Sequence, residues 1–410
     1  MMNGTQVDPV KRQYEAYPYP VRDPELEMEE LIIGSPSHPL EIDHFIFGGQ
    51  RDWTQPTRIL VAGGGTGDAL VMMAQIFADW GANVELHYLD MSEASRKIAE
   101  ARMAKRGLTA TFHTGDLLSA PDLGPFDYID CCGVLHHLPD PVAGATALSK
   151  ALAPGGGIGA MVYAPYGRAG VYEMQDVLRA LVGDEEPHRQ VELSRGLLRN
   201  LPPTTGIARN PFLSDHIEAG DAGLYDLLLH SRDQAYDVDG VYDLLDASGL
   251  ELVSFTMPGR YNPRPLIGDP ELRKRAEALP QRQSEALAER LAGNMKAHVF
   301  YAVPKGSGEG RLATVNGSAV PNMVGPKGIA LAASIWEHGG FTITVDGLTV
   351  ERNLPKEVAG IVAGIDGKRD LNAIANMLGW EKKTFLLGFN NLYQPLNNFN
   401  FLRFSARRGL

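Results

Sequence analysis

The sequence predicts an α/β fold in which strands and helices alternate around one sheet, followed by a smaller α+β unit. Three observations predict it. Residues 59–62 form a short apolar run closed by a glycine cluster, and residues 69–80 then place Leu70, Met73, Ile76 and Phe77 on one helical face. The same alternation recurs, with strands read at 84–89, 110–113, 126–131 and 158–163 and helices at 92–105 and 143–152. Finally, a Gly- and Ser-rich stretch at 304–319 separates this block from a hairpin signal, Asp346-Gly347 between residues 341–345 and 348–350.

The glycine cluster has a physical use. A ligand lying across the C-terminal end of a strand needs the backbone close, which a Cβ blocks. The helix that follows offers free N–H donors. The second strand ends at Asp90, 23 positions after Gly67, near the offset of about 20 at which a carboxylate takes ribose hydroxyls. A structural glycine turn in an unrelated α/β fold is the alternative. The spacing Gly63-x-Gly65-x-Gly67 differs from the G-x-G-x-x-G of dinucleotide sites. It resembles the first motif of class I S-adenosylmethionine (SAM)-dependent methyltransferases, and the resemblance runs from about residue 57 to 305.

That resemblance implies a Rossmann-like seven-stranded sheet with an antiparallel last strand, SAM as cofactor and S-adenosyl-L-homocysteine (SAH) as product. It implies cofactor contacts from Gly63, Gly65, Gly67, Asp90, Met91, Asp116, Leu117, Gly133 and His136. Asp116 in Gly115-Asp116-Leu117 is expected at the adenine amino group, or as a helix N-cap, and the two roles are compatible. The family usually carries an acid two residues before the first glycine, where this chain has Val61. Contacts to the methionine end are therefore expected from Asp68 or from the N-terminal segment.

The segment Gly133-Val134-Leu135-His136-His137-Leu138-Pro139-Asp140-Pro141 resembles a strand end that faces the SAM sulfur in small-molecule enzymes of this class. His136, His137 and Tyr163 are the catalytic candidates, since an imidazole titrates near neutrality. The other reading has one histidine packing under SAM and its neighbour capping the next helix. Adjacent histidines do not share a helix face, so no metal is expected.

Acceptor contacts are expected from two places. Residues 1–56 form an N-terminal lid or arm, in which Tyr14, Tyr17 and Tyr19 lie among prolines that force an extended path. Aromatic faces there would attract a sulfonium; the alternative is a surface arm packed on the core. The acidic run 23–30 reads as a solvated helix face, and residues 45–53 as a return toward the pocket. Within the methyltransferase domain, 57–305, residues 169–235 exceed what the fold needs and read as an acceptor cap. Tyr166, Arg168, Tyr225, His230 and Arg232 are the substrate candidates. Arg168 suits an acceptor carboxylate or phosphate, or else pairs with a surface acid; Arg232 is the alternative ion-pair partner of Asp233. A helix at 238–248, a strand at 250–257, a helix at 269–294 and a strand at 296–303 close the domain.

Residues 306–319 form the linker core and 320–410 a small module. Its segment 365–375 resembles winged-helix peptide-binding modules. That pattern leaves DNA binding open through Lys368, Arg369, Arg407 and Arg408, with an interaction or homodimer role the main expectation. The net charge of −12 argues against a phosphate-backbone partner. No apolar run reaches membrane-spanning length. The two adjacent cysteines, Cys131 and Cys132, suit a reducing cytoplasm. The expected activity is methyl transfer to a small molecule, with a protein or peptide acceptor, or a non-catalytic SAM-binding regulator, as alternatives.

Overall fold

The structure, a computed structural model, describes residues 8–324 and 328–406. Seven strands form one sheet: β1 (Thr57–Ala62), β2 (Val84–Asp90), β3 (Thr111–Thr114), β4 (Phe126–Cys132), β5 (Leu152–Tyr163), β6 (Leu250–Phe255) and β7 (Ala297–Pro304). Their order is β3-β2-β1-β4-β5-β7-β6, with β7 antiparallel to both neighbours. This is the sheet the sequence implied. Strand β1 is apolar and buried on both faces, as a central parallel strand must be. Leu60 and Ala62 join one core with Ile129 and Ile158, while Ile59 and Val61 join the other with Leu70, Met73 and Phe77. Each such side chain contributes roughly 1.5–3 kcal/mol by leaving water. Chain order reverses between β1 and β4, which opens a crevice at the carboxyl ends of those strands.

Three helices frame that crevice, α1 (Pro9–Ala16), α3 (Asp68–Trp80) and α4 (Glu93–Lys105), while α2 (Pro39–Ile46) packs into the core of the sheet. Gly67 caps α3 at φ 98°, a left-handed conformation that a side chain would strain, and a Cβ there would fall 2.9 Å from Ala99.

Several expectations change. The helix expected over 269–294 is two helices, Pro270–Glu277 and Gln281–Ala292, because Pro280 cannot continue the first. The acidic run is not a solvated helix: only Pro24–Leu26 makes a single 3₁₀ turn, and Glu27 turns inward to Arg102 and Arg106, at 2.5 Å each. Phe45 and Trp53 go into the core against α3 instead of returning to the crevice.

The C-terminal module has its own core, including Ile335, Ile361, Ile374, Phe385 and Phe389. Strand Gly340–Val345 turns through Asp346 (φ 48°) and Gly347 (φ 80°) into Leu348–Asn353, the hairpin that Asp-Gly signals. The module sits on α2 through buried polar contacts. Arg403 donates to Glu41 at 2.6 Å, Ser405 Oγ to Asp43 at 2.6 Å, and the Phe404 N–H to His44 Nδ1 at 3.0 Å. The stretch expected as a flexible linker is tied to the same helix, with the Ala313 N–H donating to the His44 carbonyl at 2.8 Å. Lys368 and Arg369 form the turn held by Asp366, whereas Arg407 and Arg408 lie outside the described residues. Among the described residues, no helix is long and apolar enough to cross a membrane.

Candidate functional site

A cavity of about 410 Å³ opens at the crevice. Its floor is the glycine loop, Gly63 to Gly67, with the ends of β2, β3 and β4. Gly63 adopts φ 71°, and a Cβ on it would fall 2.3 Å from a Val134 methyl, so the Val134 side chain after β4 packs directly on the bare loop backbone. Asp90 accepts from the N–H groups of Gly65 and Ser92 at 2.8 Å each. Asp90 lines the cavity, and these bonds come from neutral backbone donors. Burial pushes the Asp90 carboxyl above its usual range, against the pull of those N–H groups. Met91 and Leu117 also line the cavity, and Asp116 does so while capping the next turn through the Leu118 N–H at 2.8 Å. The N-cap reading of Asp116 thus holds, on a residue that also lines the cavity.

The N-terminal segment covers the cavity. Tyr14 and Tyr19 line it, whereas Tyr17 faces away and stacks on Tyr225 at 5.2 Å. Thr66 Oγ1 donates to the Pro20 carbonyl at 2.8 Å, which ties the segment to the glycine loop. Asp68 lines the cavity, yet Arg22 grips both its oxygens (2.8 and 2.6 Å) and Arg102 shares one (2.6 Å). Burial raises its carboxyl, and these two guanidiniums overcome that and hold it below the usual range. Asp68 therefore anchors the segment, and its charge is already compensated before any methionine end arrives.

The far end of the cavity is built by β4, β5 and the cap. The cap helix ends in a single π turn, Tyr225–Leu229, which directs Asp226 inward. Tyr163 Oη donates to Asp226 at 3.0 Å and Tyr14 Oη at 3.2 Å. Burial raises the Asp226 carboxyl, and His137, the Tyr163 hydroxyl and Arg168 oppose it. The two neighbouring histidines have tautomers set by the backbone. The Arg232 N–H donates to His230 Nδ1 at 3.1 Å, so the neutral ring carries its proton on Nε2, 3.3 Å from Tyr14 Oη. His137 Nδ1 lies 2.8 Å from the Arg232 carbonyl and must donate, which leaves Nε2 as the acceptor nitrogen. His137 lines the cavity and stacks on His230 at 3.7 Å.

His136, expected against the cofactor, lies behind this wall. It is fully buried between His137 and Tyr163, neither nitrogen has a hydrogen-bond partner, and burial pushes the ring well below its usual pKa. Arg168 is also displaced from its expected role. It is buried, pairs with Asp233 at 2.7 Å and lies 3.7 Å over the Tyr163 ring, so its charge is used inside the cap. Arg232 is the cation at the cavity wall, beside Asp8 at 3.3 Å. Tyr225 donates to Gln190 at 2.7 Å, and neither it nor Tyr166 reaches the cavity wall. Gly133 does.

The described residues contain two groups with metal-ligand spacing, His137-Asp226-His230 and His136-His137-Asp233, their atoms within 4.8 Å of one another. In the first, the backbone bond to His230 Nδ1 makes Nε2 a donor, so the group is wired as a hydrogen-bond chain ending on Asp226. Sequence reading missed Asp226 and Asp130. The available signal was an aspartate inside an apolar stretch, Tyr-Asp-Leu-Leu-Leu and Tyr-Ile-Asp-Cys-Cys, where burial is costly without a partner or a function.

Comparison with known proteins agrees with this geometry. Residues 60–158 match a family model described as a methyltransferase domain. An uncharacterized protein of Synechococcus sp. is 31% identical over 306 residues, covering 71% of this chain and 70% of that protein. A ubiquinone biosynthesis O-methyltransferase of Ralstonia nicotianae is 28% identical over 113 residues, 26% of this chain and 45% of that protein. Among solved structures, PKMT2 from Rickettsia typhi in complex with AdoHcy has a similar fold, with TM-score 0.61 and 14% identity, over 90% of this chain and 75% of that one.

Proposed function

Because the chain belongs to the class I SAM-dependent methyltransferases, we propose that it methylates a compact acceptor bearing an ionisable N–H or O–H, with His137 as the proton acceptor. The acceptor lies where β4 and β5 end beneath the cap. SAM supplies a methyl group activated by the sulfonium charge.

The residues present fit that cofactor. Gly63, Gly65 and Gly67 line the cavity with bare backbone, Asp90 lines it at the end of β2 with only neutral donors on its carboxylate, and Asp116 lines the same wall beyond β3. Tyr14, Tyr163 and Asp226 present a fixed polar rim that orients the acceptor's reacting group. The N-terminal segment and the cap keep water out. His137 takes up the proton at Nε2 while its Nδ1–H stays on the Arg232 carbonyl. That fixed tautomer, on a ring lining the same cavity as the glycine loop, is the observation that carries the reading.

The whole cavity is about 410 Å³, so the space beside a bound nucleoside suits a small molecule. A polypeptide side chain is the second reading, favoured by the exposed Trp336 and Leu387 on the fixed C-terminal module. The buried free Cys131 and half-buried Cys132 support a cytoplasmic setting.

The test is methyl transfer from labelled SAM to a panel of phenols, carboxylic acids, amines and peptides. Transfer confined to peptides would select the second reading. On any acceptor found, His137→Asn should lower kcat by roughly 10²- to 10⁴-fold and leave SAH affinity unchanged. A kcat within about threefold of wild type removes the base assignment.

A further inference from the structure

We infer that Asp130 supplies, from the neighbouring strand, the carboxylate that position 61 lacks, and that it holds the α-ammonium of the cofactor's methionine end. The inference rests on the SAM reading above. Strands β1 and β4 are parallel neighbours, and their register sets Val61 opposite Asp130. Residues opposite each other in adjacent strands point to the same face, and both of these line the cavity. The sheet order fixes the path of the ligand. Asp116 follows β3, Asp90 ends β2 and the glycine loop follows β1. A nucleoside with its base over β3 and its ribose at Asp90 therefore carries its amino-acid end to β1 and β4.

The chemistry around Asp130 points the same way. It is 1% exposed, in the middle of a central strand between Ile129 and Cys131. Three other acids here are compensated by guanidiniums: half-buried Asp68 by Arg22 and Arg102, buried Glu27 by Arg102 and Arg106, and buried Glu41 by Arg403. Asp130 accepts instead from a neutral hydroxyl, Ser37 Oγ at 2.6 Å. Ser37 is the positioning residue. Its segment is fixed where the Tyr128 hydroxyl donates to the Pro36 carbonyl at 2.8 Å. A buried carboxylate with no countercharge is costly, and a ligand ammonium provides one. Asp68, the other acid on this side, is already compensated.

The groups acting on Asp130 are Glu41 from α2, Ser37, and Tyr128, Cys131 and Cys132 on its own strand. Burial first, and then Glu41, raise its carboxyl to about 7, against the pull of Ser37. An arriving ammonium should therefore expel a proton near neutral pH.

The test is calorimetry with two ligands, SAH and its des-amino analogue 5′-S-(3-carboxypropyl)-5′-thioadenosine. Asp130→Asn should weaken SAH by about 10- to 100-fold, the span of a hydrogen bond to a charged group, and leave the analogue within about twofold. Equal weakening of both ligands, or of neither, overturns the inference. Should the variant fail to fold, the wild type still decides. Titrations near pH 7 in buffers of different ionisation enthalpy should show SAH releasing about half a proton more than the analogue, and equal release overturns the inference. Wild-type protein that binds neither ligand would instead sink the methyltransferase reading itself.

Discussion

Replacing Arg403 with Met should destabilise the whole chain and not only its C-terminal module. Glu41 is buried on α2 and accepts from four donors: Ser35 Oγ and Tyr301 Oη at 2.7 Å, Asn400 Nδ2 at 2.9 Å and Arg403 at 2.6 Å. Arg403 is the cation of the set, and both side chains of the pair are 3% exposed. Removing one partner of a buried pair leaves an uncompensated charge and costs about 3–5 kcal/mol. Three neutral donors remain on Glu41 and Met fills much of the arginine's volume, which places the expected loss near the lower end, about 3 kcal/mol. The double variant Glu41→Gln with Arg403→Met removes the stranded charge and should recover most of it. Urea unfolding followed by circular dichroism measures the loss. Hydrogen exchange shows whether helix Leu371–Leu378 opens together with β5. A loss under about 1 kcal/mol, or a module that opens alone, would refute the reasoning. Glu41 also takes a bond from Ser35, two residues from Ser37, so loosening this contact should reach the cofactor wall and weaken SAH binding.

Two further outcomes are expected. Gly63→Ala should cost roughly 2–4 kcal/mol, from the left-handed conformation and from overpacking against Val134, and should abolish SAH binding; a variant that unfolds like wild type in urea contradicts the close approach drawn at φ 71°. Asp43 tests the pH behaviour of the module contact. Burial raises its carboxyl to about 7, above the usual 3.8 or so of the unfolded chain. Between about pH 4 and 7 the unfolded chain has ionised this group and the native state has not, so stability falls as pH rises. Asp43→Asn removes that titration. Its stability relative to wild type should increase from pH 4 to 7.5 by up to about 4 kcal/mol, and a difference independent of pH would contradict the raised value.

Much of the sheet was legible because its central strands are apolar runs that end in glycines or acids, and those ends are where a parallel sheet exposes backbone. Gly63, Asp90, Asp116 and Gly133 were visible for that reason. The extent of the cap was legible but its inward face was not, because its decisive turn is wound as a π turn. Helical spacing cannot tell whether Tyr225 or Asp226 faces inward, and the structure turns Tyr225 onto Tyr17 and Asp226 into the cavity. The sequence put Arg232 beside Asp233 and Arg168 toward the acceptor, and only packing decides that Arg168 pairs with Asp233 while Arg232 lines the wall.

The acids around the cavity divide by what already satisfies them. Asp8 and Asp68 meet guanidiniums and hold the N-terminal segment in place. Asp90 and Asp116 accept from backbone N–H groups, Asp130 from a serine and Asp226 from two tyrosines. An acid with a permanent countercharge gains little from a ligand, whereas one held only by neutral donors gains a hydroxyl, amine or ammonium partner when the ligand arrives. The second group runs in order along the strand ends, from Asp116 through Asp90 to Asp130, and then across to Asp226 in the cap. That is the order in which base, sugar, amino-acid end and acceptor of a methyl-transfer complex would need them.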